Sequence, residues 1–124
     1  MVEEIAGRWG GIDVLVNNAG ITAFVDFPDL EGLTDDVWDR LYQVNVKGTF
    51  FVTRQAAPLL RRSASGQVIN IASVAGITGF GSSMAYCASK AAVGAITRCL
   101  AVEWGKYNIL VNAVAPTFIR TPGT

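Results

Sequence analysis

"IDVLVNNAG", residues 12–20, decides the fold. Val14, Leu15 and Val16 follow one another with no polar break, as in a strand buried on both faces, and Ala19-Gly20 closes the run. Two more stretches read the same way: "QVINIAS" at 67–73 and "NILVNAVAP" at 108–116, the latter ended by Pro116. Helical patterns lie between them. Thr34 followed by Asp35 and Asp36 is a helix start, with an N-cap hydroxyl and acids in the first turn. Apolar Val37, Leu41, Val44, Phe50, Phe51 and Leu59 carry that helix to about Arg62, where "SASG" breaks it. A glycine-rich loop, "VAGITGFGSS", follows the second strand, and the helical period returns from Ser82 or Ser83 to about Trp104. Ahead of the first strand, Gly10-Gly11 ends a short helical segment. Strand, helix, strand, helix, strand with crossovers this long means an α/β fold of parallel βαβ units. In such sheets the ligand crevice lies outside the carboxyl ends of the strands. That edge gathers three loops: "NNAG" at 17–20, "SVAG" at 73–76 and "PTFIRT" at 116–121.

The bulk chemistry narrows the function by exclusion. The chain has 124 residues, 51% of them hydrophobic, yet no apolar run is long enough for a membrane span. Ten basic and ten acidic residues cancel, with no basic stripe for nucleic acid and no polybasic segment for a membrane surface. The opening "MVEEIAGRWG" has no signal-peptide core, so a cytoplasmic protein is expected. Cys87 and Cys99 lie on an apolar helical pattern and are expected to be plain buried thiols. The absence of histidine excludes histidine-based triads and most zinc sites, and no metal is expected.

"MAYCASKAAV", residues 84–93, places Tyr86 and Lys90 at i and i+4, on one face of a helix that starts at the crevice. A free phenol has a pKa of about 10, and a nearby ammonium favours the phenolate, which makes tyrosine a better proton donor and acceptor near neutrality. Ser73 ends the second strand and reaches the same crevice with a hydroxyl. Asn45 stands mid-helix between apolar neighbours and close to Gly48, where both residue types cost helix stability. A local helix break aimed at the crevice explains it; an exposed mid-helix asparagine is the plainer alternative.

"NNAG" at 17–20, Asn45, Ser73 and "YCASK" at 86–90 occur in an order and spacing that resembles the short-chain dehydrogenase/reductase family, whose members include 3-oxoacyl reductases and sugar or polyol dehydrogenases. Extended relatives, the sugar-nucleotide epimerases and dehydratases, share Y-x-x-x-K but usually lack "NNAG". The resemblance covers essentially the whole chain. It implies a three-layer Rossmann-type fold, here partial, with three parallel strands and long crossover helices in one domain. It implies NAD(P)-dependent hydride transfer between a nicotinamide and a carbonyl or secondary alcohol of a small molecule, using NAD or NADP. It further implies that Tyr86 is the acid–base group, that Lys90 lowers its pKa and bonds the nicotinamide ribose, and that Ser73 orients the substrate oxygen. Asn45 would hold a water linking Lys90 to solvent. Asn17, Ala19 and Gly20 would border the cofactor together with Tyr86 and Lys90, and Pro116, Ile119 and Thr121 would lie on its nicotinamide side. Thr117 stands where the family often has glycine.

The family's T-G-x-x-x-G-x-G turn, which cradles the pyrophosphate, has no counterpart in residues 1–20, and "TPGT" ends the sequence where a substrate-covering loop would follow. A partial sequence is therefore expected, and a non-catalytic fragment or helix-pairing module is the alternative to an enzyme. Helices 34–62 and 83–104 resemble those that pair across the family's homodimer or homotetramer interface. Phe24, Phe27 and Pro28 in the loop 21–33 read either as an apolar pocket wall or as ordinary loop packing, with packing preferred.

Overall fold

The computed structural model describes residues 1–121. Helix α1 (Val2–Trp9) leads to strand β1 (Val14–Asn17). Helix α2 (Asp35–Leu41), a π-helical stretch Tyr42–Gly48 and helix α3 (Thr49–Arg62) then run on to β2 (Gln67–Ile71). Helices α4 (Ala75–Thr78) and α5 (Met84–Trp104) and a 3-10 turn at Gly105–Tyr107 lead to β3 (Leu110–Val114). The glycine-rich loop therefore holds a short helix, α4, that the sequence pattern did not separate from loop. The last residues of the "TPGT" tract, 122–124, lie outside the described residues.

Local chemistry sets the ends. Gly10 closes α1 in the left-handed region at φ 81°, where a Cβ would be strained. The Thr34 hydroxyl caps α2 by accepting the Val37 N–H at 3.4 Å, with Asp35 and Asp36 against the positive end of the dipole. Because that bond is long, Thr34→Ala should cost about 0.5 kcal/mol, the low end for a lost cap, read as a small drop in the urea midpoint. No change in the midpoint would show that the two aspartates cap the helix unaided.

The strands form one parallel sheet in the order β1-β2-β3, with Val14 opposite Gln67 and Gln67 opposite Leu110. Both crossovers step in the same direction, so right-handed connections put α3 and α5 on the same face. There Ala56 and Leu60 of α3 and Trp104 of α5 close over Val68 and Val111, with Ile109 and the half-buried Leu15 at the margins. The opposite face carries apolar residues too, and Val14, Val16, Leu110 and Val114 keep 50, 52, 58 and 51% of their surface exposed. This explains the unbroken apolar strand pattern: both faces are built for burial, and the described residues supply the sheet and one of the two helical layers.

Cys87 is buried, as expected, but Cys99 is exposed. Its place on an apolar-looking helix misled because α5 is apolar on more of its circumference than the sheet covers. Among the described residues no helix is long and apolar enough to cross a membrane.

Candidate active site

Helix α5 begins at the carboxyl edge of the sheet, where the Ser83 hydroxyl accepts the Tyr86 N–H at 3.2 Å. One turn further on, Lys90 is only 7% exposed. Its ammonium donates to the Ile71 carbonyl at 2.9 Å and stands 5.8 Å from the centre of the Tyr86 ring. The reason lies in the pairing. Ala72 turns its N–H to Val114 of β3, so Ile71 turns its carbonyl to the other side, just past Asn17, the last paired residue of β1. A side chain takes the place of the missing strand partner. Burial pushes the Lys90 ammonium below the ordinary lysine value. The loop after β1 passes close by: a Cβ on Gly20 would lie 3.3 Å from both the Lys90 nitrogen and the Asn45 amide oxygen.

Asn45 is buried in the π-helical stretch, at 1% exposure, so the expected helix break is present and is aimed inward. Its amide oxygen accepts the Ile21 N–H at 2.8 Å, and its amide nitrogen donates to the Ile21 carbonyl and the Ser89 hydroxyl, both at 3.0 Å. Two threonines hold the irregular turn. The Thr49 hydroxyl donates to the Asn45 carbonyl at 2.9 Å, and the Thr53 hydroxyl donates to the Thr49 carbonyl at 2.7 Å. Such back-bonding to the preceding turn competes with the regular ladder and bends helices.

The polar chain continues across the sheet. The Asn17 amide donates to Thr53 and to Asn70, each at 2.8 Å, and Asn70 donates to Thr97 of α5 at 2.9 Å. Asn17, expected at the cofactor border, thus spends its side chain inside the fold. Sequence reasoning missed Thr49, Thr53, Asn70, Ser89 and Thr97. The available signal was Asn70, a polar residue inside an otherwise apolar central strand, which needs partners when buried.

Ser73 accepts the Ala75 N–H on its hydroxyl oxygen at 3.1 Å and the Gly76 N–H on its carbonyl at 3.0 Å, opening α4. The first of these uses a lone pair and leaves the hydroxyl proton for a further acceptor. Pro116 accepts the Val74 N–H at 3.1 Å, which lays the third loop against the second. Ile119 and Thr121 lie exposed further along that third loop. The loop after β1 is tied to the segment before α5 by the Val25 N–H on the Ser82 carbonyl at 3.1 Å and by a Thr22–Ser82 hydroxyl bond. Phe27 stacks on Phe80 with ring centres 6.3 Å apart, but Phe24 is 85% exposed. Ordinary loop packing therefore describes Phe27 and fails for Phe24, which points away from the fold.

A Y-x-x-x-K pair backed by a buried asparagine at a helix irregularity, at the carboxyl edge of a parallel sheet, matches a known plan. The short chain dehydrogenase family model matches residues 1–124. The chain belongs to the short chain dehydrogenase family. It is 44% identical over 124 residues to a 3-oxoacyl-(acyl-carrier-protein) reductase of Thermotoga maritima, covering 100% of this chain and 49% of that one. A solved short-chain dehydrogenase/reductase from Burkholderia xenovorans superposes with a TM-score of 0.94 at 42% identity, over 98% of this chain and 51% of that one. ElxO with NADP bound superposes with a TM-score of 0.91 at 34% identity, over 98% of this chain and 48% of ElxO. This short chain dehydrogenase sequence thus spans about half the length of the relatives it matches.

Proposed function

We propose that the chain carries the acid–base residues of an NAD(P)-dependent oxidoreductase that interconverts a ketone and a secondary alcohol of a small molecule. The observation behind this reading is the pair of Tyr86 and the buried Lys90 at the carboxyl edge of the sheet, in a chain of this family. In the reducing direction the Tyr86 hydroxyl gives its proton to the carbonyl oxygen; in the oxidising direction it takes the proton of the alcohol. The Lys90 ammonium stabilises negative charge on the phenol oxygen while the proton is away. Ser73 holds the substrate oxygen with the hydroxyl proton that its bond to Ala75 leaves over. Asn45 keeps the role of holding a water between Lys90 and solvent, at the carbonyl it shares with Thr49.

The residues fit a nicotinamide cofactor. Gly20 leaves the space beside the Lys90 ammonium that any side chain would fill, and Lys90 has two further N–H donors beyond its bond to Ile71. Ala19, Gly20 and the backbone of Asn17, whose side chain is turned to Thr53 and Asn70, would border the group, Lys90 would bond its ribose, and Pro116, Ile119 and Thr121 would line its nicotinamide side. Bound there, the group supplies or accepts the hydride, chemistry that no side chain here provides. Two features support the wider setting. The free thiols of Cys87 and Cys99 suit a cytoplasmic protein. The exposed Phe50, Phe51 and Val102 on α3 and α5 suit pairing with a second copy, as a homodimer or homotetramer.

Fluorescence titration of the protein carrying this sequence with NADH and NADPH tests the cofactor assignment. Saturable binding at about 1 mM or below is expected for at least one of them. A flat response to both would contradict the assignment and favour a non-catalytic module.

A further inference from the structure

Ser89 precedes Lys90 in the helix and is fully buried. Its hydroxyl donates to the Tyr86 carbonyl at 2.8 Å, a back-bond that many helical serines make. The second bond is the informative one: the same oxygen accepts from the Asn45 amide nitrogen at 3.0 Å. Asn45 in turn grips both backbone groups of Ile21. The series Ile21–Asn45–Ser89–Tyr86 therefore ties the loop after β1, through the π-helical stretch, to the first turn of α5. Gly20 and Lys90 face each other at the end of that tie.

We infer that Ser89 is a positioning residue, whose hydroxyl clamps Asn45 and so fixes the loop carrying Gly20 and Ile21 against the helix carrying Tyr86 and Lys90. The inference rests on the reading of Tyr86 and Lys90 as the reactive pair only for its consequence; the clamp itself is a matter of geometry. Removing the hydroxyl leaves an amide proton of Asn45 buried without its acceptor, a cost the site can relieve by letting Asn45 and Ile21 move. Thr97 offers an internal comparison. It makes the same two kinds of bond, to the Val93 carbonyl at 2.8 Å and from Asn70 at 2.9 Å, but two turns further along α5, against the central strand and away from the loop.

Amide hydrogen exchange on the whole chain reads this directly, because the Ile21 N–H is bonded to Asn45 while Gln67 and Leu110 N–H groups report the sheet through Asp13 and Gly66. In Ser89→Ala the Ile21 amide should exchange roughly tenfold faster or more, with Gln67 and Leu110 changed by less than about threefold. Asn45→Ala should have at least the same local effect, and adding Ser89→Ala to it should bring no further acceleration, since the two act through one bond. Thr97→Ala should move Gln67 and Leu110 at least as much as Ile21. An Ile21 rate that is unchanged in Ser89→Ala, that rises only in step with the sheet amides, or that adds to the effect of Asn45→Ala overturns the clamp. Tyr86→Phe serves as the separating control. It keeps the backbone carbonyl that Ser89 uses, so Ile21 exchange should stay at its original rate whether or not Tyr86 proves to be the acid.

Discussion

Tyr86→Phe is expected to lower kcat for ketone reduction by about 10²–10⁴-fold in the protein carrying this sequence, with cofactor affinity changed by less than about threefold. The substitution removes one oxygen from a half-buried ring. The residue's backbone bonds, its N–H on Ser83 and its carbonyl under Ser89, are untouched, so the helix start should not move. The loss therefore falls on proton transfer alone. Lys90 is not expected to take over the role, because its ammonium is held on the Ile71 carbonyl, 5.8 Å from the centre of the Tyr86 ring. Steady-state kinetics with a cofactor titration on the same sample checks both halves. Turnover retained within tenfold would remove Tyr86 from the chemistry.

Gly76→Ala is expected to cost about 1–3 kcal/mol of stability and to lower activity in whatever protein remains folded. A Cβ at Gly76 would lie 2.6 Å from both the Ala91 nitrogen and the Lys90 carbonyl carbon, backbone atoms that cannot swing aside. The α4–α5 contact must open instead. That contact links Ser73, which opens α4, to the turn holding Lys90, so widening it moves the Ser73 hydroxyl relative to Tyr86, and under the proposed roles it moves the substrate oxygen's holder relative to the acid. Small displacements of this kind are costly in catalysis. Urea unfolding followed by kinetics would measure the two effects. Gly7→Ala in α1, where nothing lies within 4 Å of the added Cβ, is the control and should be neutral or slightly stabilising. A Gly76→Ala change as neutral or stabilising as Gly7→Ala would mean that the close approach of α5 to Gly76 does not matter and that only helix propensity is at work there.

The parallel sheet and the long helices were legible in the sequence because their signals are local. Unbroken apolar runs mark the strands, Thr34 and Ser83 mark helix starts, and Tyr86 and Lys90 fall one turn apart on any helix. The helix break at Asn45 was legible as well, since an asparagine near a glycine among apolar neighbours fits a regular helix poorly. What stayed hidden depends on partners distant in the chain. Asn17 meets Asn70 across 53 residues and Thr53 across 36, and nothing in the run "VLVNN" says that the side chain turns inward. Ser89 looked like one of several small residues in "YCASKAA", and its second bond reaches Asn45 across 44 residues. Cys99 and Phe24 were read as packed because their neighbours are apolar, yet both point where the described residues offer no cover.

The most direct measurement is the fate of label in a reduction. The protein carrying this sequence would be given NADH or NADPH deuterated at the transferring position of the nicotinamide ring, with a panel of an acetoacetyl thioester, cyclohexanone and dihydroxyacetone. With Tyr86 as the acid, deuterium should appear on the carbinol carbon of at least one product, the hydroxyl proton should come from solvent, and Tyr86→Phe should suppress the labelled product by about 10²-fold or more. Labelled alcohol formed by Tyr86→Phe as fast as by the unaltered protein would contradict the role assigned to the Tyr86–Lys90 pair.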